Sequence, residues 1–144
     1  GGRSFLYGAD YWINYPSIKS ERRSSQLWHR DPESRKMLKL FLLLTDVSIE
    51  SGPTEYLPMT FKTSGNIRLR NFRRYNTIIE EQYCAKLIEK MDIKTFIATG
   101  DIGDIVLLDT SGVHRGGYGS ETRHIASFHF LPWSRKTCTP AWLR

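Results

Sequence analysis

Short apolar runs, each cut off by glycine or proline within a few residues, constrain this chain more than any other feature. Phe41-Leu42-Leu43-Leu44 is one of them and is followed by Gly52-Pro53. Ile105-Val106-Leu107-Leu108 lies between Gly103 and Gly112. Runs this short, bounded by turn residues, build strands, whereas a membrane span needs roughly 18 or more apolar residues. Thr122 to Leu131 alternates and stops at Pro132, which adds a further strand. The 144 residues, 40% hydrophobic and 25% charged, suit one soluble domain spanning 1–144, and they exclude disorder, collagen and coiled coil. The expected fold is mainly β, a barrel or jelly roll with one helix, rather than a parallel α/β sheet.

Other segments are assigned on the same grounds. Ser4 to Tyr15 mixes aromatics with glycine and reads as a short strand and turns. Met37 to Val47 reads as a strand buried on both faces, and Glu55 to Met59 as a short one. No acidic residue occurs from Tyr56 to Ile79, while Lys62, Arg68, Arg70, Arg73 and Arg74 are all basic; this reads as an insertion or lid near 60–76. Asn76 or Thr77 is expected to cap a helix running to about Met91. Its apolar face is Ile78, Ile79, Leu87, Ile88 and Met91, with Glu80 and Glu81 in the first turn and Lys90 in the last. Ile93 to Thr99 and Asp104 to Asp109 are the remaining strands, the latter buried.

Charge and cysteine content narrow the partners. The net charge is +6, from 21 Lys and Arg against 15 Asp and Glu. That surplus suits anionic small molecules; a basic nucleic-acid module is the competing reading, disfavoured because no recognised motif accompanies the basic stretch. Cys84 and Cys138 form no Cys-x-x-Cys pair, so both are expected to be free thiols in a reducing, cytoplasmic compartment. The chain starts at Gly1 rather than Met, no secretory core follows, and it is expected to be a fragment of something longer.

The residues that carry chemistry begin with His29-Arg30-Asp31. On an extended segment, positions two apart share a face, so the His29 imidazole and the Asp31 carboxylate converge on one metal while Arg30 points away. His114, after a strand and at the mouth of a glycine-rich loop, is placed to give the third ligand. Two imidazoles and a carboxylate on one side of an ion leave three positions open, the arrangement of non-haem ferrous oxygenases. Arg123 starts a strand in which Arg123, Ile125, Ser127 and His129 share a face. A buried arginine there calls for a carboxylate, and a planar guanidinium holds one in a two-pronged contact. Ser127 shares that face and is a candidate for the same ligand. Trp28 is read as packing; Thr54 and Tyr56 are candidates for the pocket mouth. No Gly-x-Ser-x-Gly elbow and no dinucleotide fingerprint is present.

In order and spacing these segments resemble the phytanoyl-CoA dioxygenase-like family. The resemblance lies in Gln26-Leu27-Trp28-His29-Arg30-Asp31, Leu42 to Val47 leading into Gly52-Pro53, Gly103 to Asp109, Ser111 to Gly117 and Arg123 to Phe130. It covers about Gln26 to Pro132. It implies a double-stranded β-helix and an iron(II)- and 2-oxoglutarate-dependent dioxygenase. Such an enzyme uses O2 to hydroxylate a small molecule and releases succinate and CO2. By resemblance His29, Asp31 and His114 ligate iron and Arg123 holds the distal carboxylate of 2-oxoglutarate. Members of that family carry a longer N-terminal region than the 28 residues before His29. A degenerate, ligand-binding β-helix without turnover is therefore the alternative within the same fold.

Overall fold

A computed structural model of the chain describes residues 3–17, 23–33, 36–61 and 78–133. The expected basic lid, the Asn76/Thr77 cap and Cys138 lie outside these. In chain order the strands are β1 (Ser4–Asn14), β2 (Leu38–Leu43), β3 (Thr54–Tyr56), β4 (Phe96–Ile97), β5 (Ile105–Asp109), β6 (His114–Gly116) and β7 (Arg123–Pro132). One α-helix, α1 (Glu81–Met91), and a single 3-10 turn (Ser24–Gln26) complete the described elements. Four strands form an antiparallel sheet in the order β1-β7-β2-β5, and three form a second in the order β4-β3-β6. The mainly β expectation holds.

Register decides what each face of the larger sheet carries, because side chains alternate along a strand. On one face, β7 presents Arg123, Ile125, Ser127 and His129 as expected. Their register partners are Asn14, Trp12, Asp10 and Gly8 on β1, and Leu43, Phe41 and Lys39 on β2 opposite Ile125, Ser127 and His129. This polar and aromatic face looks onto the pocket described below. The opposite face is apolar, with rows such as Ile105-Leu42-Ala126-Tyr11 and Leu107-Leu40-Phe128-Ala9.

Four sequence expectations change here. Ser4–Asn14 is one unbroken 11-residue strand rather than a short strand with turns, because β7 pairs it along its length around a bulge between Leu6 and Gly8. β2 is not buried on both faces, and β5 is not a buried strand. Their second face is the apolar one, left open enough that Ile105 is 61% and Leu107 56% exposed. Ile93 to Thr99 contributes only the two-residue β4.

The helix starts later than expected, at Glu81 with Glu80 as N-cap. Ile78 and Ile79 precede it because the Ile79 N–H donates to the Trp28 carbonyl at 2.7 Å instead of joining a helical turn. It ends at Asp92, which adopts the left-handed conformation (φ 50°) and returns its N–H to the Glu89 carbonyl. Cys84 and Leu87 are its buried residues. Cys84 packs with Trp28, Leu57, Ile79 and Val113 in one core cluster, so Trp28 is packing, as expected. Cys84 is a free thiol, pushed up to about 12 by burial.

Candidate metal centre

Backbone pairing, not loop chance, brings the two histidines together. The stretch Trp28 to Asp31 is extended and pinned along its length: the His29 N–H donates to the His114 carbonyl at 2.9 Å and the His114 N–H to the His29 carbonyl at 3.0 Å. The Asp31 N–H donates to the Thr110 carbonyl at 3.0 Å. An extended chain puts residues 29 and 31 on one side, and the bridge puts His114 beside them. Arg30 turns the other way, as expected, and is buried with its guanidinium donating to the Thr60 carbonyl.

The same local device fixes the imidazoles. His29 Nδ1 is 2.8 Å from the Leu27 carbonyl, and His114 Nδ1 is 2.9 Å from the Gly112 carbonyl. A carbonyl only accepts, so each Nδ1 carries a proton and each Nε2 is the nitrogen that faces Asp31. His29 Nε2 lies 3.9 Å from Asp31 Oδ1, and His114 Nε2 lies 3.9 Å from Asp31 Oδ2. One ligand atom from each of the three falls within 4.8 Å of the others. Burial, with His29 beside it, holds the His114 imidazole down at about 4, so it stays neutral and able to ligate at ordinary pH. Burial alone would push the Asp31 carboxyl up; facing His114 and the Lys39 ammonium, it is instead held below the usual carboxylate value. Two imidazole nitrogen donors and one carboxylate oxygen donor fit a divalent ion of intermediate hardness.

These donors open on a pocket of about 130 Å³ lined by His29, His114, Lys39, Phe41, Trp12, Asn14, Thr54, Arg123, Ile125 and Ser127 among others. Arg123 is 4% exposed. Its Nη2 donates to Asn14 Oδ1 at 3.2 Å, its Nε has no hydrogen-bond partner, and no carboxylate among the described residues pairs with it. Burial pushes it down to about 10, which still leaves a protonated guanidinium at neutral pH. Ser127 sits on the same wall, its hydroxyl 3.3 Å from Trp12 Nε1, which donates to it, and 3.0 Å from His129 Nε2.

Thr54 reaches the pocket as expected. Tyr56 does not: its ring is buried over Gly112, where an added Cβ would meet the phenolic oxygen at 2.6 Å. Sequence reasoning missed Trp12, Asn14 and Lys39. Lys39 alone left a signal, a single charge inside the apolar run from Met37 to Leu44. A Ser127-His129-Asp10 relay is excluded by geometry, since serine and aspartate both approach the same nitrogen, Nε2.

Beside the histidines, and reaching the same pocket through Arg115, lies a second charged cluster. Arg115 donates to Glu55 at 2.8 and 3.0 Å and to Glu81 at 2.7 and 3.0 Å, and its guanidinium carbon sits 4.0 Å from the centre of the Trp28 ring. The residue after His114 thereby stacks on the residue before His29.

Fold and site together define a two-sheet β protein with a candidate mononuclear metal centre. No family model matches the sequence, and no curated protein does either. Solved structures do match in fold. EctD from S. alaskensis with bound Fe aligns with a TM-score of 0.63 at 16% identity, covering 90% of this chain and 45% of that one. The same protein with 2-oxoglutarate and 5-hydroxyectoine gives 0.63 at 18%, with 90% and 44% covered. The non-heme alpha ketoglutarate dependent carbocyclase SnoK from nogalamycin biosynthesis gives 0.58 at 19%, with 87% and 48% covered. The chain thus spans about half the length of these proteins. At such identities the likeness is one of fold.

Proposed function

We propose that the chain carries the catalytic core of an iron(II)- and 2-oxoglutarate-dependent dioxygenase that hydroxylates a small molecule. The observation that carries this reading is the pairing, in one pocket, of a His29-Asp31-His114 donor set with a buried Arg123 that has no carboxylate of its own among the described residues. The fold neighbours that hold Fe or 2-oxoglutarate support it. In this reading the two sheets form a double-stranded β-helix. The order of segments from Gln26 to Pro132 supports placement in the phytanoyl-CoA dioxygenase-like branch.

His29 and His114 would hold the ion through Nε2 and Asp31 through a carboxylate oxygen, leaving one side for exogenous ligands. Ferrous iron, when bound, supplies the redox chemistry by which O2 gives one oxygen atom to succinate and the other to a hydroxyl group on the substrate, with loss of CO2. The protein's share is binding and exclusion of water. Arg123 grips the distal carboxylate of 2-oxoglutarate in a two-pronged contact, worth more here than at a surface because the guanidinium is desolvated. Ser127 adds a hydroxyl on the same wall. Trp12, Phe41 and Ile125 give the pocket its apolar surface. The basic charge balance suits an anionic substrate.

The test is anaerobic addition of ferrous iron and 2-oxoglutarate to the folded chain. A weak visible charge-transfer band, followed by succinate release on admission of O2, is the expected result. A folded, iron-loaded protein with neither would end the proposal. Binding of iron and 2-oxoglutarate without any decarboxylation would instead mark a ligand-binding domain of the same fold.

A further inference from the structure

Lys39 interrupts an apolar strand: Leu38, Leu40 and Phe41 surround it, and β2 is paired on both sides. Its side chain is largely buried, and its Nζ lies 2.8 Å from Asp31 Oδ2. The two oxygens of Asp31 are thereby made unequal. Oδ1 faces His29 and Oδ2 faces His114, each at 3.9 Å, so a carboxylate with both oxygens available would clasp an ion lying between the imidazoles from both. The ammonium claims one of them.

We infer that Lys39 is a positioning residue that restricts Asp31 to ligation through one oxygen and holds down the affinity of the site for a divalent ion. This rests on the metal centre proposed above. Two physical effects act in the same direction. An ammonium ion-paired with Oδ2 at 2.8 Å competes with the metal for that oxygen, which keeps one more coordination position open for exogenous ligands. A cation shielded from water also repels a second cation nearby far more than a surface lysine would. His129, opposite Lys39 in register, does not relieve this, because its Nε2 is engaged by Ser127 and Asp10. An orienting residue without these effects would act in the opposite sense, since its loss would loosen Asp31 and weaken the metal.

The experiment titrates the whole chain with Co(II) alone, read by calorimetry and by the intensity of the visible d–d bands. Lys39→Met should bind Co(II) at least about tenfold more tightly than wild type, with band intensities changed by the altered carboxylate ligation, and Lys39→Arg should stay near wild type. Lys39→Gln carries the same expectation as Lys39→Met if the latter fails to fold. Wild type that binds Co(II), with neutral variants that bind it equally or more weakly, overturns the role of Lys39 alone. Wild type that binds no Co(II) overturns the metal centre and this inference with it.

Discussion

His29 and His114 are bonded to each other through their backbones before any ion is involved. Each donates its N–H to the other's carbonyl, at 2.9 and 3.0 Å, and the two rings lie 4.3 Å apart between centroids. The bridge belongs to the peptide units, so it survives loss of either ring. His29→Ala and His114→Ala should therefore stay folded, losing about 1–3 kcal/mol of stability, while divalent metal affinity falls by about a hundredfold or more. Metal titration beside chemical denaturation checks both halves. Full metal binding by either variant would remove that histidine from the centre.

Arg123 separates stability from function. Its guanidinium is buried and donates to Asn14 with no counter-ion among the described residues, and burying a charge without a counter-ion is costly. Arg123→Met fills similar volume without the charge. It should leave the melting temperature unchanged or raise it, while 2-oxoglutarate binding to the metal-loaded protein weakens by at least about tenfold. A variant that is several kcal/mol less stable would show that Arg123 serves the fold instead.

Site and fold were not equally legible in the sequence. His29 and Asp31 could be paired because the two-residue period of an extended segment is strict. His114 followed because glycine marks the loop that delivers it. β1 was obscure for a physical reason: its inner face is Asp10, Trp12 and Asn14, of which Trp12 and Asn14 line a pocket rather than a core, so the apolar alternation that announces a strand is missing. The helix start failed because isoleucines 78 and 79 fit a helical stripe as well as the β bridge that Ile78 actually makes to His29. Lys39 looked like noise in an apolar run; only the register that sets β2 beside the pocket explains it.

The metal-free protein should weaken in mild acid. The His114 imidazole, held at about 4 against an ordinary value of 6.5, stays neutral in the fold where the unfolded chain takes up a proton. Between those values the unfolded state binds more protons, so stability is fully present above about pH 6.5 and is lost as pH falls toward 4. The loss attributable to this group is on the order of 3 kcal/mol. Asp31, also held below its ordinary value, continues the trend at lower pH. Urea unfolding of the metal-free chain across that range, beside His114→Asn, checks it: the variant should show a distinctly flatter dependence.

Arg115 lines the same pocket without offering a ligand atom, and it should matter to the site through what it holds in place. It carries two carboxylates, Glu55 on β3 and Glu81 on α1, and covers Trp28 with its guanidinium. Glu81 is largely exposed, so that pair contributes little by itself. Glu55 is mostly buried, and the stack on Trp28 is buried too, so removing the cation strands a carboxylate and uncovers an indole. Arg115→Met is expected to cost about 2–4 kcal/mol in denaturant unfolding. Arg115→Lys should recover only part of that, because an ammonium cannot serve both carboxylates and lie flat on the ring. Trp28 and Arg115 flank the two ligand histidines, so loosening their contact loosens the bridge. Metal affinity should fall by about tenfold in Arg115→Met with every ligand still present. If stability falls and metal affinity does not, the clamp serves the fold and the histidine bridge is rigid without it.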